Sequence, residues 1–292
     1  MTRTRPGQWH ALRVCRERPE PRLPFRIWDG QRNHRCGSVA RAHVPALSRW
    51  PDALQVDGHG VSLRLPAAER DDFLALLNRK LRDEGLIVAW RDETYPLVSL
   101  DTRDRLALIE RAASRFWGTL TFGAHCNGYV AGPDGRPSAV WIARRSPHKA
   151  TDPGLLDNLI GGGVPHDQSP RDAVLREGWE EAGLRPEQMA GIRPGRIALV
   201  QRDIPEGTML ERISIYDLEL PGGLRPANQD GEVAEMTLYP VAQALALAAS
   251  AEMTVDAGIV MLDFALRHRL LDEDVLDDMT DRCADLWVGD AE

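Results

Sequence analysis

The pattern of hydrophobic and polar positions changes near residue 116, which divides most of the chain into two predicted domains. Between residues 25 and 115, short apolar runs flank helix-like stretches, which predicts a small α+β domain. Its predicted strands are Phe25–Ile27, Leu54–Val56 and Val61–Leu65. Its predicted helices are Ala67–Glu84, ended by Gly85, and Thr102–Arg115, whose apolar residues recur every three or four positions.

Residues 116–292 combine strands rich in β-branched and aromatic residues with helical stretches, which predicts a second α+β domain. The predicted strands are Thr119–Phe122, Gly128–Ala131, Ala139–Ala143, Arg196–Gln201, Ile213–Leu220 and Met236–Tyr239. The predicted helices are Pro170–Ala182, Val241–Ala249, Thr254–Arg269 and Asp274–Leu286. The turn Pro133-Asp134-Gly135 predicts a β-hairpin between two of the strands.

The first 24 residues have a different composition, with six arginines and four prolines. Such a segment has little apolar surface to bury, and its prolines interrupt regular structure. We therefore expect residues 1–24 to form a mobile basic tail.

Overall composition excludes several classes of protein. The 43% hydrophobic content of the 292 residues predicts a folded core. The 36 basic and 44 acidic residues give a net charge of −8, which disfavours a general nucleic-acid binder. No apolar run approaches the roughly 20 residues that cross a bilayer, so no membrane partner is expected. The four cysteines are scattered and lack metal-ligand spacing, which predicts reduced thiols in a cytoplasmic protein.

The helix at residues 170–182 carries the candidate chemistry. Ser169 and Asp172 form a capping-box pattern, Pro170 suits the first helical position, and Gly183 is placed to end the helix. At ~100° per residue, three carboxylates fall on one arc of the helix, at Glu177, Glu180 and Glu181. The opposite, packed side is predicted to contain Leu175, Gly178, Trp179 and Ala182.

Three neighbouring carboxylates repel one another, so a cleft that keeps them ionised needs a compensating cation. Ligation by oxygen alone suits magnesium or manganese better than zinc. Arg176 is expected to pair with Glu180 one turn later and to fix its rotamer. The alternative is an acidic, solvated surface helix, which does not account for the preceding glycine-rich loop Gly161–Gly163.

The run Arg176-Glu177-Gly178-Trp179-Glu180-Glu181-Ala182-Gly183-Leu184, with Gly162 fourteen residues before Arg176, resembles the Nudix box. This resemblance implies a Nudix α/β/α sandwich with a mixed sheet, preceded by the small α+β domain. It also implies a catalytic set made of Arg176, Glu177, Glu180 and Glu181, with Glu177 as candidate general base. The three glutamates and the backbone carbonyl near Gly161 would bind the metal.

Two positions depart from the Nudix pattern. Gln168 stands where the family usually has glutamate, so it cannot bind metal as an anion or take a proton. Gly178 stands where an aliphatic residue is usual, and it lowers helix stability by roughly 1 kcal/mol relative to alanine. We expect Gly178 to permit the close approach of another element.

A narrower resemblance extends beyond the box, through segments such as Gly123–Val130, Trp141–Ser146 and Ile215–Pro221. These segments are similar to Nudix proteins associated with thiamine pyrophosphokinase. That similarity implies hydrolysis of oxidised or damaged thiamine diphosphate to the monophosphate. The alternatives are a nucleoside-diphosphate or nucleotide-sugar pyrophosphatase, and a Nudix-like module that binds a diphosphate without turnover.

Six further residues are secondary candidates. Glu232 could add a carboxylate to the metal site, with a solvated turn as the equal alternative. The others could bind substrate, by neutralising diphosphate oxygens or by contacting a heterocycle, although an exposed loop or a structural role is the simpler interpretation of each. They are Arg144, Arg145, Lys149, His125 and Asn127. The N-terminal domain shows no catalytic pattern, and we expect it to shape the substrate cleft or to form contacts in a homodimer.

Overall fold

The structure is a computed structural model that describes residues 9–292. In that range no helix is long and apolar enough to cross a bilayer. The helices are α1 (His10–Val14), α2 (Val44–Leu47), α3 (Ala67–Asp83), α4 (Ala113–Trp117), α5 (Pro170–Ala182), α6 (Val241–Ala249), α7 (Val255–Arg267) and α8 (Glu273–Cys283). The strands are β1 (Arg22–Trp28), β2 (Asn33–Ala40), β3 (Leu54–Asp57), β4 (Gly60–Leu63), β5 (Thr94–Val98), β6 (Arg105–Glu110), β7 (Leu120–Ala131), β8 (Pro137–Arg145), β9 (Leu156–Asp157), β10 (Ile160–Gly163), β11 (Arg193–Ile204), β12 (Gly207–Glu219), β13 (Val233–Pro240) and β14 (Trp287–Asp290).

The N-terminal α+β unit has a four-stranded sheet in the order β2-β1-β4-β3 and a separate hairpin, β5-β6. Along β1 buried and partly exposed residues alternate, so one face of the sheet packs and the other meets solvent. Helix α3 contributes Leu74, Leu77 and Leu81 to the same core. Trp117 of α4, which lies beyond the predicted domain boundary, is fully buried in this core and joins the two parts of the chain.

The C-terminal part is built on a mixed sheet in the order β13-β8-β7-β12-β11-β14, with β10 paired to β7 and β9 to β8. Strands β7 and β12 run parallel, and the other neighbours in this order are antiparallel. Helices α6 and α7 cover a core on one face, and α5 packs into a separate core. This arrangement confirms the predicted sandwich around a mixed sheet.

The predicted mobile tail is wrong for residues 9–24, and residues 1–8 lie outside the described range. Trp9, Leu12 and Cys15 are buried against α7, and the Trp9 indole Nε1 donates a hydrogen bond to the carbonyl of Gly258 at 3.1 Å. Strand β1 begins at Arg22. The prediction rested on the many arginines and prolines of this segment. Three apolar residues at a spacing of three are nevertheless enough to anchor α1.

The predicted helix at Thr102–Arg115 is also wrong, because most of this stretch is strand β6 followed by the short helix α4. Apolar residues in β6 alternate in burial, and Ala107 and Ile109 point into the core. This stretch is a strand because it pairs with β5. In the turn between the two strands, Arg103 takes a positive φ of 67°. The helix-like spacing of the apolar residues was therefore overridden by tertiary pairing.

Candidate active site

Helix α5 begins and ends where the capping residues predict. The Ser169 hydroxyl accepts a hydrogen bond from the Asp172 amide at 3.1 Å, and the Asp172 carboxylate accepts one from the Ser169 amide at 3.3 Å. Gly183 ends the helix with φ +63°, in the left-handed region that favours glycine. These local bonds fix the rotation and length of the helix that carries the carboxylates.

Strand β10 lies directly against the carboxylates of α5. The Gly161 amide donates a hydrogen bond to Glu181 Oε2 at 2.8 Å. A Cβ atom at Gly162 would overlap the Glu177 carboxylate, so this position needs glycine for close approach. The glycine-rich strand thus allows backbone groups to approach both side chains.

We expect Gly162→Ala to lower kcat/KM for a diphosphate substrate by at least about tenfold, because its Cβ displaces the Glu177 carboxylate. Steady-state kinetics with magnesium would measure the loss. Gly191→Ala is the matched control, since a Cβ there meets no atom within 4 Å. Equal activity of the two variants would show that the position of Glu177 is unimportant.

Burial and neighbouring negative charge raise the proton affinity of two carboxylates on α5. Glu181 is 5% exposed, and burial, with the nearby Glu177 charge, raises its pKa well above the ordinary value. Burial also raises the pKa of Glu177, to which Glu180 adds, although Arg176 acts in the opposite direction. Keeping both groups ionised therefore requires positive charge nearby.

Two basic residues supply part of that charge. Arg176 contacts Glu180 at 2.7 Å and Glu177 at 2.9 Å, as predicted for its pairing with Glu180. Lys149 forms an ion pair with Glu232, and its Nζ lies 3.8 Å from Glu181 Oε1. Although burial raises the pKa of Glu232, the hydrogen bond and charge of Lys149 outweigh it, and the net pKa is lowered. Glu232 therefore faces the carboxylate cluster as an anion.

The acidic donor atoms at this site are of the kind that a hard divalent cation prefers. They are carboxylate oxygens, and burial, to which neighbouring carboxylates add, raises the pKa of Glu177 and of Glu181. In the part of the chain that the structure describes, no three His, Cys, Asp or Glu side chains are grouped closely enough to hold a metal ion by themselves. Magnesium in proteins keeps several waters and commonly takes substrate phosphate oxygens as ligands, so a bound substrate would have to supply part of its coordination.

The site opens into a cleft with two connected lobes. The first lobe, of about 540 Å³, contains Glu177, Glu180 and Glu232. The second lobe, of about 390 Å³, extends from β10 towards the start of α7. Both lobes are lined by Gly161, Gly162, Gly163, Arg145, Thr151, Arg91 and Arg111. The last two arginines belong to the N-terminal unit, so that unit forms part of the cleft wall.

Three of the five predicted substrate residues reach this cleft. Arg145 lines both lobes and contacts Asp157 at 2.7 Å. Lys149 lines the first lobe, and His125 lines the second, where its Nδ1 lies 2.9 Å from Asn158 Oδ1.

The other two predicted substrate residues do not line either lobe. Arg144 donates to the carbonyl of Gly154 at 2.9 Å, because alternation along β8 turns it away from the face of Arg145. Asn127 is buried and donates to Asp217 at 3.1 Å, while its oxygen accepts from Asn158 at 3.0 Å. Asn127 therefore contacts Asn158, whose side chain in turn contacts His125.

The atypical positions of the box have local explanations. A Cβ at Gly178 would collide with the Met189 side chain, which confirms the expected close approach. Gln168 accepts a hydrogen bond from Arg176 Nε at 3.3 Å, so it helps to orient that arginine. Trp179, predicted on the packed side, is instead 50% exposed, because the buried face is centred on Val174, Gly178 and Ala182.

Several cleft residues were missed by sequence reasoning, namely Arg91, Arg111, Asp157, Arg202, Glu211 and Asp256. None belongs to a motif, and they come from segments that meet only in the folded chain. Knowledge of the strand register would have been needed to place them. For the two predicted arginines of β8, alternation along the strand would have shown that only one of Arg144 and Arg145 can face the cleft.

Family models match two consecutive parts of the chain. Residues 11–121 match a domain of unknown function, DUF4743, and residues 122–257 match the NUDIX domain. The boundary between the two matches lies just inside β7, the central strand that pairs with β10.

Three relatives span most of this chain. Nudix hydrolase 20, chloroplastic, of Arabidopsis thaliana is 36% identical over 73% of this chain and 58% of its own length. Nudix hydrolase 24, chloroplastic, of the same plant is 35% identical over 70% and 55%. An uncharacterized protein of Saccharomyces cerevisiae is 28% identical over 75% and 69%. The chain thus spans little more than half of each plant relative. The box motif, the mixed-sheet sandwich and the family match agree that residues 122–257 are a NUDIX domain.

Proposed function

We propose that the protein is a magnesium-dependent hydrolase that cleaves the diphosphate bond of a small organic substrate. The observation that carries this proposal is the contact of Glu177 and Glu181 with the glycine strand β10, which itself lines a cleft walled by arginines. Acidic residues alone would repel a diphosphate, whereas Arg91, Arg111 and Arg145 can neutralise its oxygens. The two charge types lie side by side in the first lobe.

The residues have separable roles in this reaction. Glu177, Glu180 and Glu181, with the Gly161 carbonyl and Glu232, would hold magnesium or manganese, and the bound ion would supply positive charge against the phosphates and lower the pKa of water. Glu177 would accept the proton of the attacking water, since it lines the first lobe and burial raises its pKa above the ordinary value, which makes it a stronger base. Arg176 fixes the rotamers of Glu177 and Glu180, and Lys149 with Arg145 adds positive charge beside the phosphates.

The proposed substrate is oxidised or otherwise damaged thiamine diphosphate, which would yield the monophosphate. Two observations support a substrate with a sizeable organic part. The second lobe continues from the diphosphate lobe and is large enough for a ring system. Val88 and Arg111, both from the N-terminal unit, line it, which supports a role for that unit in substrate choice.

Product analysis with magnesium tests the proposal on thiamine diphosphate, its oxidised analogues, ADP-ribose and nucleoside diphosphates. We expect monophosphate release from the oxidised thiamine compounds to exceed release from the nucleotides. A preference for nucleotides would support the proposed hydrolysis of a diphosphate and contradict the proposed thiamine substrate. Tight binding without turnover of any compound would contradict the hydrolase and favour the binding module.

A further inference from the structure

The second lobe of the cleft has no part in the proposed cleavage step, although its wall is built from charged side chains. It adjoins the diphosphate lobe through Gly161, Gly162 and Gly163. The wall farther from the carboxylates contains Arg115, Arg202, Glu211 and Asp256. A cavity made only to exclude water would not need four ionisable groups.

Three polar atoms of this wall are buried without a hydrogen-bond partner among residues 9–292. They are Arg115 Nη1, Arg202 Nε and Asp256 Oδ1. Buried polar groups in native proteins are nearly always paired, so three unpaired ones in a single cavity indicate a ligand that completes them. Two of these atoms are donors and one is an acceptor, which defines the complementary pattern on the ligand.

Asp256 is the acceptor in this pattern, and its position is rigid. It lies in the first turn of α7, where the Thr254 side chain caps the helix by accepting from the Ala257 amide at 3.2 Å. Burial, with Glu211 adding to it, raises the pKa of Asp256 to about 6, although Arg202 opposes the shift. The side chain is therefore mainly a carboxylate at neutral pH and can accept a hydrogen bond.

We infer that the second lobe binds the organic half of the substrate as a heterocycle with a hydrogen-bond donor beside an acceptor, and that Asp256 selects it by accepting from the donor. Arg115 and Arg202 would donate to the ring acceptor. Val88, 47% exposed on the rim, would be covered by the apolar face of the ring. The inference rests on the proposed function, because the diphosphate in the first lobe brings the organic half here.

The test uses two matched pairs of diphosphates that differ by an amino group or an oxygen on the ring. The pairs are thiamine with oxythiamine diphosphate, and ADP with IDP. We expect Asp256→Asn to shift the amino-to-oxo ratio of kcat/KM by about tenfold or more towards the oxo compound, because the amide can donate to the ring oxygen. Calorimetry with the corresponding monophosphates measures the same ratio for binding alone.

Asp152→Asn is the control, because Asp152 is an exposed carboxylate on the same lobe, and asparagine tolerates its positive φ of 49°. If Asp256→Asn fails to fold, Asp256→Ser should shift the amino-to-oxo ratio in the same direction by a smaller factor. An unchanged ratio in the Asp256 variant, or an equal shift in the control, would overturn the inference. A shift in the binding ratio without hydrolysis by the wild-type protein would support the subsite and reject the proposed hydrolase.

Discussion

Replacement of Glu181 by glutamine is expected to lower kcat/KM for a diphosphate substrate by roughly 10²–10³-fold. Glu181 is almost fully buried, accepts from the Gly161 amide at 2.8 Å and lies 3.8 Å from Lys149 Nζ, so a neutral side chain there removes a charge directly behind two residues that line the cleft. Glutamine keeps the shape and the oxygen that accepts from Gly161. The loss should therefore appear in catalysis and in magnesium binding, and leave the fold intact.

Thermal melting separates these effects. Because burial raises the pKa of Glu181 in the folded protein, its ionised form opposes folding at neutral pH, and Glu181→Gln should not lower the melting temperature without metal. Magnesium should raise the melting temperature of the wild-type protein and leave that of the variant unchanged.

Glu187→Gln is the control for Glu181→Gln, since Glu187 is exposed beyond the end of α5. The control should keep wild-type kinetics and the wild-type response to magnesium. If Glu181→Gln retained both properties as well, Glu181 would have no role in metal binding.

The parts of the fold that sequence reasoning predicted are those specified by local interactions. Helix α5 ends at the predicted residues because Ser169, Asp172 and Gly183 satisfy backbone groups within one turn. Strand β6 was predicted as helix because its burial depends on β5, a partner that no local pattern identifies. Helix α1 was missed for the same reason, since Trp9 is held by α7, far away in the sequence.

In the candidate site, too, local spacing predicts some residues and only tertiary packing places the others. The carboxylates of α5 share a helical arc, so their spacing alone brings Glu177 and Glu181 together. Arg111 and Asp256 reach the cleft from opposite ends of the chain, and only tertiary packing places them on one cavity. The sequence therefore predicted the carboxylate cluster, whereas most of the second lobe is recognisable only in the folded chain.

Trp117→Ala is expected to destabilise the protein by about 3–5 kcal/mol, the usual range for loss of a buried tryptophan. Trp117 is fully buried, its ring centroid lies 4.5 Å from that of Phe25, and its Nε1 donates to Asn78 Oδ1 at 2.8 Å. The truncation leaves a cavity and removes the indole N–H that donates to the buried amide oxygen of Asn78. Urea denaturation should show a lower midpoint.

Trp179→Ala provides a matched comparison, because the same side chain is removed from a half-exposed position on α5. Little packing is lost there, and alanine favours the helix, so we expect the free energy of unfolding to change by less than about 1 kcal/mol.

Trp117 belongs to the core that supports the hairpin β5-β6, and Arg111 follows that hairpin on the cleft wall. Partial unfolding of Trp117→Ala should therefore expose the cleft and reduce turnover at denaturant concentrations that leave Trp179→Ala active. Equal midpoints and equal turnover for the two variants would show that the N-terminal core does not support the active site.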